Sequence, residues 1–261
     1  MIKLKVLSPD DRLLASSELG EEVSAVLAGG YAGGERILVE TSRAGVLLDI
    51  QLEDSMPWER VYVPGASLVF FVPPLERRPN YSPRAFVGNS HLLRAREVPS
   101  EDAEKRRNLA RNAYDQHEND TFYPHAHANV ETRNEAVFAA RNAIDGIYAN
   151  SSHGNYPYQS WGINRDPNAA LTLDFGRAVR ADEVRLTLRA DFPHDNYWVS
   201  AVLHFDDGTA ETLSLVRTAQ PQCFAFAPRL VRTCTLDTLI PADGPSPFPA
   251  LTQFELWGTE A

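Results

Sequence analysis

The densest run of chemically capable side chains is Arg189-Ala190-Asp191-Phe192-Pro193-His194-Asp195-Asn196-Tyr197-Trp198. A sugar asks two things of a protein: planar polar groups for pairs of hydroxyls, and an aromatic face for the apolar C–H side of the ring. Arg189, Asp191, His194, Asp195 and Trp198 supply both. The same residues admit a structural role, in which Arg189 pairs with Asp191 or Asp195 to stiffen the loop and Trp198 belongs to the core. A second stretch, 147–160, carries His153, Tyr156 and Tyr158. Folded over the same end of the molecule it walls the same pocket; otherwise it packs on itself as a surface loop.

His125 and His127 flank Ala126, and alternate residues of a strand share a face, so both imidazoles can address one metal ion. Two ligands do not make a site, and a third such as His194 or Asp195 would have to converge from elsewhere. The competing reading is that both histidines bond backbone groups where two domains meet. Arg133, Asn134, Glu135 and Arg141 surround a short helix-like stretch, 135–142, and read as a polar network rather than as catalysts. The local signatures of a serine hydrolase, a zinc peptidase and a P-loop are all missing from the chain.

These side chains need a framework, and the patterning describes one made of strands. Arg36–Glu40, Gly45–Ile50 and Ser67–Val72 are short, rich in β-branched and aromatic residues, and separated by Gly, Pro and Ser. Beyond residue 120, Leu171/Leu173/Phe175, Val184/Leu186/Leu188, Val199/Ala201/Leu203/Phe205, Leu213/Leu215, Phe224/Phe226 and Phe254/Leu256 alternate with mostly polar or small neighbours. Period two over so many short runs means half-buried antiparallel strands. Asp207-Gly208 is a hairpin signal. Between the two β regions, Ser100 as cap, acids in the first turn and basic residues after it predict a helix over 100–116. The expected organisation is an N-terminal β-sandwich over 1–98, a helical linker over 99–119 and a second sandwich over 120–261.

Composition narrows the function classes. With 25 Lys+Arg against 35 Asp+Glu, the net charge of −10 argues against a general nucleic-acid binder. No run approaches the roughly 18 apolar residues that span a bilayer, so no membrane role is expected. The first residues read as a strand rather than a signal peptide, which predicts a cytoplasmic protein. Cys223 and Cys234 are expected as two buried thiols.

Several phrases of the C-terminal half, taken in order, resemble the discoidin (coagulation-factor C-type) superfamily. They are Ala143-Ile144-Asp145-Gly146, Ser160-Trp161-Gly162, Ala170-Leu171-Thr172-Leu173-Asp174-Phe175-Gly176, Val184-Arg185-Leu186 and Phe254-Glu255-Leu256-Trp257-Gly258. The resemblance covers about half the chain, and residues 1–98 carry no comparable phrase. It implies a galactose-binding-like jelly roll that carries carbohydrate at the loops of one end. It also implies a structural Ca2+ held near the Asp-Gly turn by Asp145 and Glu255, and a core position for Trp161. The stretch 147–160 is longer than the family's usual few residues between Asp-Gly and Trp.

The resulting fold class is all-β: two sandwiches, the second a jelly roll, joined by a short helix. The leading functional expectation is a non-catalytic carbohydrate-binding protein whose ligand contacts are His153, Tyr156, Tyr158, Arg189, Asp191, His194, Asp195 and Trp198. Two alternatives stand beside it: a metal-assisted hydrolase or other carbohydrate-active enzyme with a His/Asp site, and an assembly protein built on the first domain. Homo-oligomerisation is open in all three.

Overall fold

The computed structural model describes residues 1–261 and is almost entirely β. In the N-terminal part, β1 (Ile2–Leu7), β2 (Leu13–Ser16), β4 (Arg36–Thr41) and β7 (Ser67–Phe71) form one antiparallel sheet in the order β2-β1-β4-β7. The strands β3 (Glu22–Ala28), β5 (Val46–Gln51), β6 (Glu59–Val63) and β8 (Ser90–Glu97) form the other, in the order β3-β8-β5-β6. Alternation explains the packing: Ile2, Leu4 and Val6 of β1 and Val23, Ala25 and Leu27 of β3 are buried between the layers, while the intervening residues are not. The three strands expected here from composition are β4, β5 and β7.

The C-terminal part is one continuous antiparallel sheet bent on itself. Its long strands are β12 (Leu171–Leu188) and β15 (Gln222–Pro241). The first half of β12 lies between β10 (His125–Ala128) and the second half of β15, and β13 (Trp198–Phe205) and β14 (Ala210–Ser214) continue that layer. The second half of β12 lies between the first half of β15 and β16 (Ala250–Glu260), which also pairs with β11 (Trp161–Gly162). The pairing shifts between Asp174 and Val179, where the strand passes from one layer to the other. Between the layers lies a core that includes Trp161, Leu171, Phe175, Leu186, Trp198 and Phe254. The two alternating runs around residues 171–175 and 184–188, which look like separate strands in sequence, are thus one bent strand.

Three expectations about this framework need correction. The helix predicted over 100–116 is a single turn, α1 (Ser100–Ala103), with Pro99 and not Ser100 at the cap. The apolar residues of the segment have helical spacing but serve different cores: Leu109 and Ala110 join the C-terminal one, Ala113, Tyr114 and Phe122 the N-terminal one. A continuous helix would present them on one face, so tertiary packing overrides propensity here. Residues Arg107–Asn108 form β9 instead, an edge strand on β16. Cys223 is exposed and only Cys234 is buried, because the first half of β15 carries alternate residues outward. In β13 the pairing shifts on either side of Ser200, so Trp198 and Ala201 both face the core and Val199 faces out.

The two parts are welded by polar contacts. Tyr62 and Tyr123 exchange backbone hydrogen bonds of 2.8 and 2.9 Å. Arg111 Nε donates to Glu59 Oε1 at 2.9 Å, and buried Arg141 donates to the carbonyls of Asp115 and Ala113 at 2.6 and 2.5 Å. Arg141 thereby fulfils the polar-network expectation, while Arg133 and Glu135 form an exposed pair. Arg141 also lies 4.5 Å from the Tyr81 ring. No helix is long and apolar enough to cross a membrane.

Candidate functional site

Arg189 is the first residue beyond β12, and its backbone N–H still donates to Ala250 of β16 at 3.0 Å. The guanidinium turns inward: Nε and Nη2 reach Asp195 Oδ1 at 2.8 and 2.5 Å, with both side chains almost wholly buried. Asp195 Oδ2 accepts the backbone N–H of Asp191 at 2.7 Å, which closes the loop on itself. The alternative in which Arg189 and Asp195 pair to stiffen the loop is therefore the one the structure adopts. The loop is tied to the 242–250 segment by Asn196, whose Nδ2 donates to the Ala242 carbonyl at 2.8 Å, and by a bond from Ser246 Oγ to the His194 carbonyl.

A cleft of about 400 Å³ opens beside this loop at one end of the C-terminal sandwich. Its walls come from five separate segments: Thr132, Arg133 and Phe138; His153; Gly162 to Arg165; Arg189 and His194; and Pro247 to Ala250. Gly162 is required here. A Cβ on it would lie 2.6 Å from Thr132 Oγ1, the atom that accepts the N–H of Asn164 at 2.9 Å and positions the next wall.

One wall is a column of rings. His153 and His194 stack with centroids 4.2 Å apart and planes 7° from parallel, and His194 stacks on Phe248 at 5.4 Å and 8°. Arg165 lies 4.6 Å from the Phe248 centroid. His153 is held by Asp191, whose Oδ2 is 2.7 Å from its Nδ1. Asn150 anchors the stretch that carries His153, donating from Nδ2 to the Leu188 carbonyl at 2.8 Å. Stacking covers the inner ring faces, so the column offers ring edges and its outer surface beside N–H donors.

Of the expected contacts, the structure brings together Arg189, Asp191, His194, Asp195 and His153. It does not bring Trp198, which lies in the core with its ring 6.5 Å from that of Trp161. Nor does it bring Tyr156 or Tyr158. Tyr156 donates its backbone N–H to Pro79 at 2.8 Å and lines a crevice between the two sandwiches, and Tyr158 bonds back to Asn155. Sequence reading missed Phe138, Asn164, Arg165 and Phe248 as wall residues. Phe248, held between Pro247 and Pro249 outside any periodic run, is the one whose local sequence could have marked it.

Two metal expectations meet the structure differently. Asp145 is buried, and its oxygens accept from N–H groups only: Oδ1 from Ile147 N at 2.8 Å and Gln253 Nε2 at 2.9 Å, Oδ2 from Gln159 Nε2 at 2.7 Å. Burial pushes this carboxyl up to about 6, against the pull of Arg141 and these donors. Glu255 does not reach it. Gln253, two residues earlier on the same face of β16, takes the place beside Asp145, while Glu255 accepts from Trp257 Nε1 at 2.8 Å. Calcium needs six to eight oxygens, so this N–H-lined position does not fit the ion.

His125 and His127 do share a side of β10, with rings 5.8 Å apart, but neither His194 nor Asp195 joins them. Burial disfavours the charged form of His125, yet the hydrogen bond to Asp115, 2.6 Å from Nδ1, and its charge outweigh that and hold the imidazole above its ordinary value. His127 is pushed down by burial and by His125. The groups that do converge are His153, Asp191 and His194, each offering one ligand atom within 4.8 Å of the others. Glu53, Asp54 and His91 form a second such group in the N-terminal part.

No protein-family model and no curated protein matches the chain. Among solved structures, it is similar to chitosan-binding module 1 derived from a chitosanase/glucanase of Paenibacillus sp. IK-5, with 19% identity over 58% of this chain and 99% of that one, TM-score 0.38. It is also similar to the family 32 CBM from C. perfringens NanJ in complex with galactose, with 17% identity over 51% and 91%, TM-score 0.39. The lectin domain of lectinolysin complexed with Lewis B antigen gives 18% identity over 59% and 98%, TM-score 0.42.

Proposed function

We propose that this chain is a non-catalytic carbohydrate-binding protein that takes a sugar in the cleft beside Arg189. One observation carries the reading: a cleft of about 400 Å³ sets a stacked ring column, His153–His194–Phe248, beside a guanidinium held in place by a buried carboxylate. The column supplies apolar ring surface for sugar C–H groups, and Arg189, His194 and Asn164 supply polar groups for hydroxyls. Preorganisation by the Arg189–Asp195 pair means that little is reordered on binding.

The test is a thermal-shift panel of monosaccharides and short glycans, repeated on Phe248→Ala. A sugar-specific rise in Tm that Phe248→Ala diminishes supports the reading; a panel with no response defeats it.

A second reading, metal-assisted hydrolysis, is favoured by the His153, Asp191, His194 convergence at the rim of the same cleft. The ring geometry weighs against it. Imidazole lone pairs lie in the ring plane, so two rings stacked within 7° of parallel do not aim at one point between them. Zinc or nickel that raised Tm and was lost on His153→Ala would revive this reading.

A further inference from the structure

The polar groups that face the cleft are unbalanced. Three arginines, Arg133, Arg165 and Arg189, and two histidines line it, and no aspartate or glutamate does. Two of these arginines carry a carboxylate of their own, Arg133 with Glu135 and Arg189 with Asp195, and Asp191 is taken by His153. Arg165 has no such partner. It sits exposed on a turn in which Asn164 and Arg165 both have left-handed backbones, with φ of 50° and 60°, and its guanidinium lies against Phe248 rather than against an acid. This is unusual in a chain whose net charge is −10.

The chemical meaning follows from donors and acceptors. A guanidinium has five N–H donors and no acceptor. Every hydroxyl of a neutral sugar brings a donor that needs an acceptor, and the cleft's side chains supply one amide oxygen, at Asn164, and no carboxylate. A carboxylate or sulfate brings acceptors alone, and guanidinium groups meet it with charge-assisted bonds. We infer that the sugar taken by this cleft is an anionic one, bearing a carboxylate or sulfate that Arg165 receives while its ring lies beside the His153–His194–Phe248 column. The inference rests on the carbohydrate-binding reading above and narrows it to a ligand class.

The experiment is titration calorimetry on the full chain with four kinds of probe in the galactose and glucose series: the sugar, its uronic acid, the methyl ester of that acid, and the 6-sulfate. The acid or the sulfate should bind about tenfold tighter than the sugar and the neutral ester, as one charge-assisted hydrogen bond implies. Which anion shows the gain distinguishes the two sources of charge. Arg165→Gln, a change at an exposed residue, should erase most of the preference for the charged probe over the neutral one. Equal affinity for charged and neutral probes, or a preference untouched by Arg165→Gln, overturns the inference while the carbohydrate reading stands. No binding of any probe overturns both.

Discussion

Two turns of the C-terminal sandwich each bury an aspartate, and they differ in what surrounds it. Asp195 is matched by a guanidinium, and that guanidinium borders a cleft. Asp145 is matched by two glutamine amides and a backbone N–H, and the backbone N–H of the neighbouring Gly146 donates to one of those glutamines, Gln253, at 2.9 Å. Both stretches look alike in sequence, as carboxylates beside turns. The difference is whether the groups around the carboxylate also face that cleft. Both oxygens of Asp145 are met by donors inside the chain, so that turn is scaffold; where a donor is left facing open space, as at Arg165, the loop can address a ligand.

The sharpest test of where the site ends is Trp198, the last residue of the ligand-like run. Trp198→Ala should cost about 3–5 kcal/mol of stability, read by denaturant unfolding, as expected for a fully buried large side chain. Arg189→Ala should cost about 3 kcal/mol, because it leaves Asp195 buried without its partner, and should abolish sugar binding as well. The double change Arg189→Ala with Asp195→Ala should recover part of the stability and none of the binding. Phe248→Ala should leave the unfolding midpoint nearly unchanged and lower sugar affinity about tenfold. These four variants separate core, brace and wall.

At the other turn the expected effects are smaller. Asp145 is held at about 6 in the fold and falls near 3.8 when unfolded. Between those values the folded state holds more protons than the unfolded one, so stability should fall as pH rises from about 4 to about 6. Asp145→Asn should flatten that part of a Tm-against-pH curve. Chelator should leave Tm unchanged across the panel. A calcium-dependent shift of several degrees would show that the N–H-lined position rearranges around an ion.

Much of the framework was legible because burial follows period two: Ile2, Leu4 and Val6, or Leu171, Leu173 and Phe175, announce their strands. The all-β class and the antiparallel pairing follow from such runs. The failures have particular causes. The segment after Ala103 carries helix-like spacing, but its apolar residues divide between two cores. The alternating run puts Val199 inward with Ala201, but Trp198 takes the core place and Val199 faces out because the pairing of β13 shifts beside Ser200. At the site, Arg189 and Asp195 were readable since they are close in the chain. The walls at Phe138, Arg165 and Phe248 were not, because three loops distant in sequence meet only after both layers have closed.

The connector that serves two cores has a consequence for how the molecule comes apart. Leu109 and Ala110 are committed to one sandwich, Ala113, Tyr114 and Phe122 to the other, and Tyr114 also donates its hydroxyl to the Pro57 carbonyl at 3.0 Å. Melting either sandwich strips apolar cover from a strand of chain that the other still holds. The two halves are thus coupled like garments sewn with one thread: calorimetry should record one endotherm, and neither half cut free near residue 104 should keep its native compactness.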